Sequence, residues 1–387
     1  MMRFHAQSKK KTILLDVSSI NQYRGLTHLE GIGRSTLSLL KAFSKIDNLP
    51  FELILVSQRV RPGGLIGYQL PFRHFRIPVP NNDYFKKIVC GMRIKEILLN
   101  YDIIHIPHNT DFVDNPGKAI FTIHDLMFYK FPNYFPYSEK FSGWSKTLIS
   151  NCRSVITCSQ SSKNDIIKYW EVPDEKIEVI KWGVDRSIFF PGLPDEIADC
   201  KQKFGINNSF FLAVSCSHPR KNIELIINGF KKYKLNNGIN QLVLIWEYPD
   251  KQILFNLQNE LAENKIKIIK SVSDDELRAL YSSASATLFP SVYEGFGFPI
   301  LESLACHTPV VTCKNSSLEE IGSDLVSYTS ETDSDEFSEK LTFLEKKQFQ
   351  YDGFISKIEN HLREFTWEKA ANQYISVYLK QLGYVHS

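Results

Sequence analysis

Hydrophobic positions along this chain fall into short, nearly continuous β-branched runs. Longer stretches separate them, in which apolar residues recur every three or four places. This is the pattern of buried parallel strands alternating with amphipathic helices. In the first half, TILLDV, FELILV, DIIHIP, AIFTIHD and SVITCS predict strands, and GIGRSTLSLLKAF, YFKKIVCGMRIKEILL and YSEKFSGWSKTLISN predict helices between them. The second half repeats the rhythm with FFLAVS, LVLIW, KIKIIK, ATLFP and PVVTC as strands and RKNIELIINGFKKY, DDELRALYSSA and PILESLA as helices. Between the halves, from Trp182-Gly183-Val184-Asp185 to Pro191-Gly192, glycine and proline break the pattern and predict a linker. The expected fold class is therefore α/β, two doubly wound domains of residues 1–190 and 191–365 with a cleft between them. Ligands in such sheets bind beyond the carboxyl ends of the strands.

Composition narrows the class. The chain has 387 residues, 43% of them hydrophobic, and a net charge of only +3, a globular balance with no electrostatic pull toward nucleic acid. No uncharged apolar run reaches the roughly 18 residues of a membrane span, and the basic opening MMRFHAQSKKK lacks the features of a secretory signal. The cluster Lys9, Lys10 and Lys11 leaves room for weak peripheral contact with an anionic membrane surface, although such runs are more often solvated tails. Seven cysteines without C-x-x-C spacing read as reduced, mostly buried thiols of a cytoplasmic protein, with no structural zinc.

The candidate chemistry is concentrated in two segments. In Phe289-Pro290-Ser291-Val292-Tyr293-Glu294-Gly295-Phe296-Gly297-Phe298-Pro299-Ile300-Leu301-Glu302, a buried strand ends, a glycine loop follows, and Pro299 suits the first turn of a helix. Backbone donors and the positive helix end then make a phosphate site, flanked by Glu294 in the loop and Glu302 one turn inside the helix. Gly295 and Gly297 allow close approach of a ligand. After the FFLAVS strand, the turn Cys216-Ser217-His218-Pro219 leads to Arg220 and Lys221, two cations suited to a diphosphate.

Taken together, these motifs resemble glycosyltransferase family 4, with the GT-B fold of two Rossmann-like domains facing a central cleft. The resemblance rests on the E-x7-E frame from Glu294 to Glu302, the S-x-x-x-P-R-K-N turn from Ser215 to Asn222, and VSDDELRALYSSASATLFPS from Val272. It also rests on DVSSINQYRGLTHLEGIGRSTLSLLKAF, FTIHDLMF, VITCSQSSKNDI, WGVD and the closing helix FTWEKAANQYISVYL. It implies a retaining, metal-independent transferase without a cofactor, taking a nucleotide-diphosphate sugar in the C-terminal domain and an acceptor in the N-terminal domain. Residues 366–387 would return to pack on the N-terminal domain. By the same resemblance Glu302 holds ribose hydroxyls and Glu294 contacts the donor sugar. The backbone of Gly295, Phe296, Gly297, Phe298 and Pro299 orients sugar and phosphate, and Ser215 and Val272 join the donor site. Arg220 and Lys221 stabilise the leaving diphosphate, His124 and Asp125 reach the transferred sugar, and Gly31 and Gly33, placed before the first helix, close near the acceptor. Many mannosyl and rhamnosyl transferases of bacterial surface polysaccharide synthesis share the P-R-K-N variant. The resemblance thus favours GDP-mannose as donor and a lipid-linked oligosaccharide at the inner membrane face as acceptor.

Two departures bear on the pocket. His307 stands in Ala305-Cys306-His307-Thr308-Pro309-Val310-Val311 where the family often has glycine, so it must adopt that backbone geometry or the turn is altered. Trp246 and Glu247 replace glycine and a small or basic residue on the nucleotide side. A nucleotide-sugar epimerase or hydrolase on the same scaffold, or a non-catalytic binding subunit, are the competing functions. A dehydrogenase is disfavoured, because GIGRST lacks the third glycine of a dinucleotide fingerprint.

Overall fold

A computed structural model describes residues 10–20, 31–58, 69–77, 88, 91–108, 113–134, 146–346 and 351–384. Lys9, Cys90, the segment 21–30 ahead of Gly31, and parts of the two helices expected over 84–99 and 137–151 lie outside the described residues. The chain divides into two units, one of Met1–Trp182 with Trp367–Ser387 and one of Gly183–Thr366. The first division thus falls at Trp182, ahead of residue 190. Segment 183–190 is tied to the second unit: Val184 N–H donates to Phe365 O, and Phe189 packs edge-on against Tyr281.

In the first unit the strands are β1 (Thr12–Asp16), β2 (Glu52–Gln58), β3 (Arg73–Ile77), β4 (Ile103–Ile106), β5 (Ala119–Thr122), β6 (Ser154–Thr157) and β7 (Ile177–Val179). They form one parallel sheet in the order β3-β2-β1-β4-β5-β6-β7. The second unit repeats the plan with β8 (Phe210–Ala213), β9 (Gln241–Ile245), β10 (Ile266–Ile269), β11 (Ala286–Phe289), β12 (Val310–Cys313) and β13 (Ser327–Thr329), in the order β10-β9-β8-β11-β12-β13. In each sheet the order reverses beside the first strand, between β1 and β4 and between β8 and β11. That reversal opens a crevice at the carboxyl edge.

Helices over both faces bury the central strands, which is why β1, β4, β5, β6, β8, β11 and β12 are buried along their whole length and read as unbroken apolar runs. The strands without such a run, β3, β7 and β13, are edge strands. RHFRI, IEV and SYT carry the short, polar composition that protects a sheet edge, so hydrophobic patterning passes over them. The six described cysteines are free and buried. Lys10 donates to Leu49 O and Lys11 pairs with Asp102 at 2.9 Å, so these two cations are committed to the foot of the first sheet. Among the described residues no helix is long and apolar enough to cross a membrane.

The closing helix, Trp367–Leu382, belongs to the first unit and is fixed there by a buried polar chain. His105 Nδ1 lies 2.6 Å from Tyr378 Oη and its Nε2 lies 2.8 Å from Thr122 Oγ1, while Phe51 and Phe43 pack on the Tyr378 ring. Burial, aided by His108 and His124, lowers the His105 pKa to about 3. The unfolded chain therefore takes up this proton first, and stability declines as pH falls below the ordinary histidine value. The expected loss through His105 between pH 7 and pH 5 is about 2 kcal/mol. Melting curves across that range should be steeper in pH for the native chain than for His105→Gln; equal slopes would show that His105 does not carry the effect.

Candidate active site

The catalytic candidates of the second unit meet at its switch point. Arg220 and Lys221 lie just beyond β8 on a short 3-10 turn, Pro219–Lys221, and Glu294 lies just beyond β11, the neighbouring strand. The turn is closed by His218, whose Nδ1 accepts the Arg220 N–H at 3.2 Å. Positive φ at Ser215 and Asn222, both 58°, reverses the chain on either side. Val292 N–H donates to Arg220 O at 2.9 Å, which laces the two segments together.

Glu294 is the hub. Its Oε1 accepts from Lys221 Nζ at 2.6 Å and Ser291 Oγ at 2.7 Å, and it pairs with the Arg220 guanidinium. Arg220 Nη1 also donates to Tyr293 O, and Lys221 Nζ sits 4.4 Å from the centre of the Phe289 ring. Lys221 and Glu294 are each only 8% exposed. Burial alone would raise the Glu294 pKa; Lys221 and Arg220 outweigh it and hold the carboxyl at about 2. Burial lowers the Lys221 pKa, with Arg220 adding to that and Glu294 opposing it. The two cations expected to meet a diphosphate thus share one internal carboxylate, which offsets one of their two charges.

The glycine loop has the form anticipated from its residues. Gly297 takes φ 118° as the cap of the helix Phe298–Ala305, with Pro299 in the first turn; a Cβ there would stand 3.2 Å from Leu318 Cδ2. Ser317 Oγ donates to Glu294 O and Phe296 O, and Ser316 Oγ accepts the Glu294 N–H. Phe296 is buried, its ring against Phe298 and Phe365, so at this position only the backbone is offered to a ligand. Glu302, 5% exposed, accepts from Tyr281 Oη at 3.1 Å, and Val272 is buried just after β10.

In the first unit, His124 follows β5 with Nε2 2.8 Å from Pro107 O, and the Asp125 carboxylate accepts the Met127 N–H, a local turn cap. Gly31 and Gly33 are not ahead of the first helix. Both lie within the helix described over Gly31–Ser44, with Gly31 open above its Cα and Gly33 buried. His307 does adopt the glycine-like geometry, φ 60°, and its Nε2 lies 2.9 Å from Glu359 Oε1. Trp246 turns into the core with Cys216, Leu244 and Leu257, leaving Glu247 and Tyr248 exposed beyond β9.

Sequence reading missed Ser291, His218 and Tyr281. The Ser291-x-x-Glu294 spacing is a local signal, because a hydroxyl three places before a carboxylate folds back onto it within a turn. Tyr281 meets Glu302 only through packing of one helix on the next.

Two parallel sheets of Rossmann type are the architecture of the GT-B glycosyltransferases. The chain belongs to this class, its N-terminal domain matching the Glycosyltransferase Family 4 model over residues 29–188 and its C-terminal domain the Glycosyl transferases group 1 model over residues 196–361. It is 24% identical to the O-antigen chain mannosyltransferase B of Escherichia coli, over 73% of this chain and 74% of that protein. It is 28% identical to the O-antigen chain mannosyltransferase RfbU of Salmonella typhimurium, over 64% of this chain and 65% of that one. Among solved structures, Anabaena HepE in complex with UDP and glucose superposes with a TM-score of 0.74 at 17% identity, over 95% of this chain and 99% of that chain.

Proposed function

We propose that the protein is a retaining hexosyltransferase that moves mannose from GDP-mannose to a hydroxyl of a growing, lipid-linked glycan at the cytoplasmic membrane face. The observation that carries this reading is the buried cluster of Arg220, Lys221 and Glu294 at the switch point, ahead of the helix that holds Glu302. Arg220 and Lys221 take the diphosphate, Glu302 the ribose hydroxyls, and Glu294 a hydroxyl of the donor sugar. The loop backbone from Gly295 to Pro299 orients sugar and phosphate, beside Ser215 and Val272. In the other domain His124 and Asp125 are assigned to the transferred sugar, and Gly31 and Gly33 to the acceptor side. Cationic side chains and the helix end supply the charge stabilisation that a metal would otherwise give.

In the chemical step the acceptor oxygen bonds to the anomeric carbon as the bond from that carbon to the diphosphate oxygen breaks on the same face. The acceptor's proton passes to the departing phosphate oxygen, and no enzymic nucleophile is needed. Mannose is favoured because two curated relatives are O-antigen mannosyltransferases.

A thermal-shift panel of GDP-, UDP- and dTDP-sugars, followed by product analysis with and without acceptor, tests the reading. GDP-mannose at about a hundredfold excess over its Kd should raise the melting temperature by about 5–10 °C, more than the other donors. Transfer should depend on acceptor. Acceptor-independent conversion as the main activity would replace the transferase with an epimerase or hydrolase, and a larger shift with another nucleotide sugar would replace the donor.

A further inference from the structure

His124 has surroundings more specific than a packed core histidine needs. The Pro107 carbonyl 2.8 Å from Nε2 can only accept, so Nε2 carries the proton and Nδ1 of the neutral ring is an acceptor. Burial lowers the pKa of this half-buried ring to about 4, against the opposing hydrogen bond to Pro107, so the ring is neutral at neutral pH.

The Trp182 ring packs against the imidazole, centroids 4.9 Å apart and planes inclined by 59°. Trp182 is itself held from two sides. Its indole N–H donates to Tyr374 Oη at 3.3 Å, and its ring stacks on Trp367 with centroids 6.4 Å apart and planes 20° from parallel. Tyr374 Oη is also 3.5 Å from Thr122 Oγ1, two residues before His124 on the same segment. All four aromatic residues belong to the first unit. Trp182 is the last residue before the chain leaves that unit, and Trp367 is the first after it returns. The pair therefore joins the two crossing points of the backbone directly beside the imidazole.

We propose that Trp182 is a positioning residue for His124, and that its stack on Trp367 ties the orientation of the imidazole to the closing helix, so that Nδ1 is presented as a fixed acceptor for a sugar hydroxyl. The sugar end of this inference rests on the transferase reading above; the positioning does not. The indole suits the task because one rigid plane contacts the imidazole, stacks on Trp367 and donates to Tyr374. Phenylalanine could keep the packing but not the hydrogen bond, and leucine neither.

The test uses the full chain with Trp182→Leu, Trp182→Phe and Trp367→Leu, read by the ring-nitrogen chemical shifts of His124, assigned by difference from His124→Asn. The native ring should show the pattern of the Nε2-protonated tautomer. In Trp182→Leu and Trp367→Leu that pattern should give way to mixed tautomers, with kcat/KM for transfer down about tenfold to a hundredfold. GDP affinity should stay within about twofold of native, since the residues assigned to the diphosphate belong to the other unit and share no partner with Trp182 or Trp367 among the contacts described. Trp182→Phe should fall between. Native ring-nitrogen shifts in the leucine variants would overturn the proposal; if those fail to fold, native shifts together with native kcat/KM in Trp182→Phe would do so. A changed tautomer pattern combined with full turnover in His124→Asn would uphold the positioning and remove the role of His124 in transfer.

Discussion

Lys221→Ala is expected to lower turnover by roughly 100- to 1,000-fold, the cost of removing one preorganised charge from a developing anion in a buried site. The ammonium is almost wholly enclosed, so solvent does little to screen it from a departing diphosphate. The fold should survive, because Glu294 keeps Arg220 and Ser291 as partners and is not left as an uncompensated buried charge. Turnover at saturating donor, measured beside a melting curve, checks both halves. Native turnover in a folded Lys221→Ala chain would mean that this cation does not stabilise the leaving group.

Glu294→Gln should move two quantities in opposite directions. The carboxylate sits on both cations, so an arriving diphosphate competes with it for the same donors. An amide keeps the shape and an acceptor oxygen but removes the competing charge. Two unit charges about 6 Å apart interact by roughly 3 kcal/mol at an effective dielectric constant of about 20. Even after screening, the nucleoside diphosphate product should bind about tenfold more tightly at low ionic strength, with the gain shrinking as salt is added. Turnover should fall about tenfold or more, because the sugar loses an ionised hydrogen-bond acceptor and the product leaves more slowly. Calorimetric titration of GDP at low and high ionic strength, set beside kcat, separates the terms. Weaker GDP binding in Glu294→Gln would show that the carboxylate helps to build the anion seat and does not compete for it.

The legible parts of this chain were those written in local pattern. Unbroken runs such as TILLD, IIHI and ATLF could only be strands covered on both faces, and the Gly297-Phe298-Pro299 sequence carries the stereochemistry of its own helix start. The sequence marks His307 as a strained position and leaves open whether the residue or the turn gives way; the residue does, at φ 60°. The edge strands β3, β7 and β13 were illegible for the opposite reason. Each puts only one or two residues against the core, such as Ile177 or Phe75 and Ile77, too few for a hydrophobic period to be read.

The amino-acid order by itself determined the two α/β halves, the cation pair after β8, and the two glutamates, one in the glycine loop and one on the helix that the loop starts. Tertiary structure decided what those groups do to one another. It placed Arg220 and Lys221 on the Glu294 carboxylate, set Tyr281 against Glu302, and brought Trp182, Trp367 and His124 together from three separate stretches of chain. The division follows from range. Periodicity and turn chemistry act over a handful of neighbouring residues and can be read along a line. Ion pairs and ring contacts depend on separations of a few ångströms between residues as much as 273 positions apart, as His105 and Tyr378 are, and only packing sets those separations.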